Sequence, residues 1–121
     1  MNIEEFREYC LSFKGTSEDF PFDDKVLVFK VMGKMFALTD VETYDSINLK
    51  CDPERAIELR ERYTCITAGY HMNKKHWNSI LTEGISSGEL GVKELKSLIS
   101  HSYELVVGSL PKKVQKELLD L

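Results

Sequence analysis

The feature that most restricts the fold is the run VLVFKV-MGK-MFALTD at residues 26–40. Two β-branched and aromatic segments flank a three-residue connection centred on Gly33. Strands joined by so short a link can pair only as a hairpin, because a parallel crossover needs a dozen or more residues. A further strand is expected at 46–51, where Ile47, Leu49 and Cys51 alternate with Asn48 and Lys50. That period of two marks a strand with one face in the core. The middle of the chain is thus committed to an antiparallel sheet.

Helical patterns surround these strands. Residues 2–13 place Ile3, Phe6, Cys10 and Phe13 on one face, with Asn2 as a cap and Lys14-Gly15 as a stop. Residues 15–25 read as a polar, acidic loop. Asp52-Pro53-Glu54 opens a helix that runs to about Arg62, with Ala56, Leu59 and Tyr63 facing inward. The stretch 63–70, YTCITAGY, is β-like and broken at Gly69. Residues 71–84 fit either a helix or a strand, and periodicity does not decide so short a run. Residues 85–91 read as a loop. The longest helical repeat follows, through Val92, Leu95, Leu98, Ile99, Ser102, Leu105 and Val106, with Gly108 as a cap and Pro111 opening a last short helix. No β-α alternation runs through this order. The expected fold is one domain over 1–121, an α+β sandwich in which a single antiparallel sheet packs against helices, in the order α-β-β-β-α-β-β-α-α.

Charge and motifs exclude more functions than they suggest. Sixteen basic and twenty acidic residues leave a net charge of −4 over 121 residues. No apolar run approaches the roughly 18 residues of a membrane span, and the acidic, amphipathic start is unlike a signal peptide. A cytoplasmic protein without membrane contact is expected. The three cysteines, Cys10, Cys51 and Cys65, read as reduced, buried thiols. No nucleotide-phosphate cradle, H-E-x-x-H or G-x-S-x-G occurs. His71 and His76 are five apart, a poor offset for two metal ligands on one helix face. The acidic residues Glu18, Asp19, Asp23 and Asp24 lack calcium-loop spacing. No enzyme, metal site or cofactor is expected.

The charge is unevenly placed. Residues 1–60 hold eight basic and thirteen acidic side chains, and residues 61–121 hold eight and seven. From Arg62 to Thr82 there is no carboxylate. Within that stretch, Tyr70-His71-Met72-Asn73-Lys74-Lys75-His76-Trp77 combines ammonium groups, imidazoles, an amide and aromatic rings. Such a mixture can attract phosphates, donate hydrogen bonds and stack on bases. The plainer alternative is that Trp77 anchors a core and Lys74-Lys75 occupies a solvated turn. Lys112, Lys113 and Lys116 form a second basic spot, and Tyr103 lies beside the apolar stripe of the long helix.

Taken in order, several phrases resemble the MmcQ/YjbR family of small bacterial proteins, whose fold is like that of CyaY, the bacterial frataxin. They are Lys14-Gly15, the hairpin FKVMGKMFAL at 29–38, INLKC at 47–51 before Asp52-Pro53, YHMNKKHW at 70–77, SYELV at 102–106 and Leu110-Pro111. The segment 84–92 departs from the family by being longer and richer in glycine. The resemblance implies a strand at 76–82 and a DNA-binding role in which 32–34 and 71–76 act as wings. Lys30, Lys34, Lys50, Arg62, Lys74 and Lys75 would then meet phosphates of double-stranded DNA, with His71, Asn73 and His76 as further contacts. A protein partner on the exposed sheet face is the alternative. Iron handling by Glu4, Glu5 and Glu8, suggested by the frataxin-like fold, competes with their simpler role at the positive end of the first helix.

Overall fold

The computed structural model describes residues 1–70 and 72–121. It begins with α1 (Ile3–Leu11), capped by a reciprocal pair: Asn2 Oδ1 accepts from the Glu5 amide at 2.8 Å and Glu5 Oε1 from the Asn2 amide at 3.0 Å. Glu5 thus has a structural task at the helix start. Phe6 and Cys10 of α1 are buried, as the periodicity requires.

Six strands then form one sheet among the described residues: β1 (Thr16–Asp19), β2 (Val26–Val31), β3 (Lys34–Asp40), β4 (Ser46–Lys50), β5 (Ile66–Ala68) and β6 (Trp77–Leu81). The order across it is β1-β2-β3-β4-β6-β5, and every neighbouring pair is antiparallel. The β2–β3 turn has positive φ at both Met32 (49°) and Gly33 (88°), the mirror-image geometry that matches strand twist. Just beyond it the ladder bulges: Phe29 pairs with Ala37 and Lys30 with Met35, so Phe36 is the extra residue. As a result Phe36 and Ala37, although adjacent, both enter the main core.

The helices cover one face. They are α2 (Pro53–Arg62), α3 (Thr82–Ser86), α4 (Val92–Ser109) and α5 (Lys112–Leu119), with α1. Together they bury Leu27, Phe29, Ile47, Leu49 and Ile80 from the strands against Leu59, Leu95 and Ile99 from the helices. The α+β architecture with a single antiparallel sheet is therefore the observed one. The resemblance also gave the right answer at 76–82, because β6 occupies Trp77–Leu81.

Three expectations need correction. The polar loop at 15–25 contains strand β1, whose TSED sequence has no apolar alternation. It forms because an edge strand tolerates charge on either face: Glu18 takes Arg7 of α1 at 2.7 Å and Asp19 takes Lys30 of β2 at 3.3 Å. The loop at 85–91 overlaps a short helix, α3, which buries Gly84 and Ile85. Finally, α4 runs through Gly108 to Ser109 and is capped at Leu110, so Gly108 does not end it.

α4 also carries the polar residue that ties sheet to helix. Direct pairing of β3 and β4 stops at Ala37 and Leu49. The fully buried Ser102 hydroxyl fills the gap, donating to the Phe36 carbonyl at 2.5 Å and accepting from the Lys50 amide at 2.9 Å. Tyr103, next along, stacks on Phe13 with ring centres 4.7 Å apart and donates to the Lys14 carbonyl at 2.6 Å.

Candidate nucleic-acid interface and the open sheet face

Two turns leave the sheet at the same end. One is the β2–β3 turn at Met32-Gly33; the other joins β5 to β6 through residues 69–76. Strand order separates them by three strand spacings, about 14 Å at ~4.8 Å each. Lys30 and Lys34 flank the first turn, Lys50 ends β4 between the two, and Lys74 and Lys75 lie in the second. Lys34, Lys74 and Lys75 are exposed. Among the described residues, Lys34, Lys50, Lys74 and Lys75 form no ion pair, whereas Lys30 is held by Asp19.

Five of the nine residues expected at a nucleic-acid site are therefore brought to one end of the sheet as lysines. Asn73 and His76 share the second turn, but Asn73 has an internal task. Its Oδ1 accepts from the Lys75 amide at 3.0 Å and its carbonyl accepts from the His76 and Trp77 amides at 3.2 and 3.0 Å. Arg62 does not join them. It is the last residue of α2, on the helix side, with its guanidinium 5.2 Å from the Tyr63 ring centre. His71 lies outside the described residues.

The turn is held by a residue the sequence reading passed over. From α2, Arg60 donates to Asn78 Oδ1 at 2.7 Å, to the Trp77 carbonyl at 3.2 Å and to the Lys74 carbonyl. The available signal was its place one helical turn after buried Ala56, which directs it toward the sheet. Gly69 is required on steric grounds: a Cβ there would meet Trp77 Cβ at 2.7 Å and the Trp77 carbonyl oxygen at 3.0 Å.

Opposite the helices the sheet face is open, but it is not uniformly wet. Trp77 packs there with Val28 and Leu38, and Val26, Met35 and Met72 adjoin them. Trp77 is thus an anchor, in a small second cluster rather than in the main core. Beside it lies a groove of about 770 Å³ lined by Phe22, Val26, Leu38, Asp40, Asn48, Tyr70, Ser79 and Leu81, among others. Alternation correctly turns Asn48 away from the helices, yet it is only 8 % exposed. Ser79 Oγ donates to Asn48 Oδ1 at 2.5 Å and accepts from the Tyr70 amide at 3.0 Å.

Other candidates prove structural. Cys10, Cys51 and Cys65 are free and buried, and burial raises each thiol above its ordinary pKa. Asp23 Oδ1 accepts the Val26 and Lys25 amides, both at 2.8 Å, which holds its carboxyl below the usual range. Among the described residues no group of three or more His, Cys, Asp or Glu could hold a metal ion, and no helix is long and apolar enough to cross a membrane.

His101 couples α4 to the start of α2: its Nε2 accepts from the Asp52 amide at 3.2 Å. Burial, with Arg55 nearby, depresses its pKa below 6.5. Folded His101 thus binds its proton less readily than the unfolded chain does. Its contribution to stability is full above the unfolded pKa and is lost as the pH falls through the folded one. In urea titrations between pH 7.5 and 5, wild type should lose more stability than His101→Gln, whose amide oxygen keeps an acceptor at every pH. Parallel losses would exclude this coupling.

The chain is similar to known proteins in sequence and in fold. The family model described as YjbR matches residues 11–105. The chain is 40 % identical to Escherichia coli O157:H7 YbdF over 97 residues, covering 79 % of this chain and 76 % of YbdF. It is 30 % identical to YjbR of Escherichia coli K12 over the whole of both chains. A crystal structure of a Deinococcus radiodurans protein with a DUF419 domain superposes with a TM-score of 0.87 at 39 % identity, covering 97 % of this chain and 87 % of that one. A Pseudomonas syringae protein gives a TM-score of 0.71 at 32 % identity, covering 87 % and 98 %.

Proposed function

Given that this chain belongs to the YjbR family, we propose that it is a non-enzymatic cytoplasmic protein that binds double-stranded DNA weakly, through its phosphates, at the lysine-bearing end of the sheet. The observation that carries this reading is the placement of Lys34, Lys50, Lys74 and Lys75, without an ion pair among the described residues, on and between two turns at one end. A separation of about 14 Å between the turns compares with a major groove about 12 Å wide, so the two tips suit phosphate rows on either side of a groove. Lysine supplies charge without the planar fork that reads a base bidentately, so affinity with little sequence preference follows. The acidic remainder of the surface limits its strength.

Four neutralised phosphates give a slope of about −3.6 for log affinity against log salt. Fluorescence anisotropy with a random 20-base-pair duplex at low salt tests this. Lys74→Glu with Lys75→Glu should weaken binding more than tenfold and flatten the slope toward about −2. Unchanged affinity would overturn the assignment of the second turn and leave the open face to a protein partner.

A further inference from the structure

We propose that a second copy of this chain packs on the open sheet face, its strands antiparallel to those beneath, so that the lysine end of each face lies over the acidic end of the other. The helices cover only one side of the sheet. On the other side Val28, Leu38 and Trp77 cluster, and Phe22, Tyr70 and Leu81 around the groove are 65 %, 73 % and 43 % exposed. Contiguous apolar surface rimmed by polar groups marks a place of association.

Charge selects the occupant. Lys50 pairs with Trp77 of the open-face cluster and so faces the open side, and Lys74 and Lys75 follow in the adjoining turn. The opposite end of the same strands carries Asp23 and Asp24 before β2, Asp40 at the end of β3, and Glu42 and Asp45 before β4. Lys25 lies among them and meets Glu42 at 3.8 Å. Asp23, Asp40 and Asp45 accept hydrogen bonds within their own turns through Oδ1, and these bonds leave the carboxylate charge in place. None of Asp23, Asp24, Asp40 and Asp45 forms an ion pair among the described residues. The face is thus positive at one end and negative at the other. It repels a copy laid parallel and attracts one laid antiparallel, and a twofold axis across the strands makes both end contacts at once. Six strands at ~4.8 Å and about five residues at ~3.3 Å give a face of roughly 24 by 17 Å. That is small beside the ~800 Å² per partner of a stable complex, so the dimer is weak and reversible. The same lysines serve the proposed duplex contact, so a duplex and a second copy exclude one another. The dimer itself does not rest on duplex binding and is measured without DNA.

Sedimentation equilibrium at low salt should show a monomer–dimer equilibrium with a Kd on the order of 100 µM. Lys50→Glu with Lys74→Glu and Lys75→Glu makes both ends acidic. Asp24→Lys with Asp45→Lys makes both ends basic and keeps the Asp40 turn. Each protein alone should dimerise about tenfold more weakly than wild type, or worse, and an equimolar mixture of the two should recover wild-type affinity. Phe22→Ser, at an exposed ring, should weaken the wild-type dimer about fivefold while the thermal midpoint stays near wild type. A chain that stays monomeric up to about 1 mM, or a mixture that associates no better than its parts, would overturn the proposal. So would concentration-dependent amide shifts confined to α2 and α4 instead of the strands around Leu38 and Leu81.

Discussion

Replacing Arg60 by alanine should loosen the 69–76 turn and weaken duplex binding, although Arg60 itself lies on the helix layer. Its guanidinium joins three acceptors, the carbonyls of Lys74 and Trp77 and Asn78 Oδ1. Hydrogen bonds to a charged group are worth about 1.5–3 kcal/mol each at the upper end of protein measurements, and acceptors left near solvent recover part of that through water. A net loss of about 2–3 kcal/mol is expected. The Lys74 and Lys75 ammonium groups would then sample many positions, and each phosphate contact would carry an added ordering cost. Arg60→Lys should rescue only partly, because a single ammonium cannot span the same three acceptors. Amide exchange across 73–77 and duplex anisotropy, measured on one preparation, make the check. Fast exchange in the turn with full duplex affinity would separate the turn's order from its binding.

Ser102→Ala should have the largest effect on stability of any single hydroxyl removal. The side chain is fully buried and serves two strands at once, so its loss leaves the buried Phe36 carbonyl and the part-buried Lys50 amide without their partner. Each unsatisfied buried backbone group costs about 1–3 kcal/mol, and a combined loss of about 2–4 kcal/mol is expected. In a domain of this size that lowers the thermal midpoint by roughly 10 °C. Ser97→Ala, at an exposed position on α4, should change it by no more than about 2 °C. A Ser102→Ala midpoint within that same margin would mean that water or a shifted strand replaces the hydroxyl. The position also bears on the interface, because the Lys50 amide it holds belongs to the lysine between the two turns.

The hydroxyl's role shows where sequence reasoning stops. Periodicity placed Ser102 on the buried stripe of α4, but a polar residue there reads as an interruption until its partners are known. Those partners are 66 and 52 positions away. The same limit applies to β1. Its residues have no strand pattern of their own, and it exists because β2 offers an edge and because Arg7 and Lys30 neutralise Glu18 and Asp19. The candidate interface divides in the same way. Its lysines stand out as an acid-free stretch and a hairpin tip, whereas Arg60, which orders the second turn, resembles any other helix arginine.

What the chain's own sequence determined is local. Alternation and a short glycine turn commit 26–40 to a hairpin, capping residues start α1 and α2, and a repeat of three and four commits 92–106 to α4. These follow from backbone sterics and from which side chains must leave water, and both act over a few residues. What only the tertiary structure decided is which distant segments meet. The strand order brings Lys34, Lys50, Lys74 and Lys75 to one end, leaves Arg62 on the other layer, and encloses Asn48 in a groove. Those outcomes depend on pairings between residues tens of positions apart, and the energy of such a pairing belongs to neither segment alone.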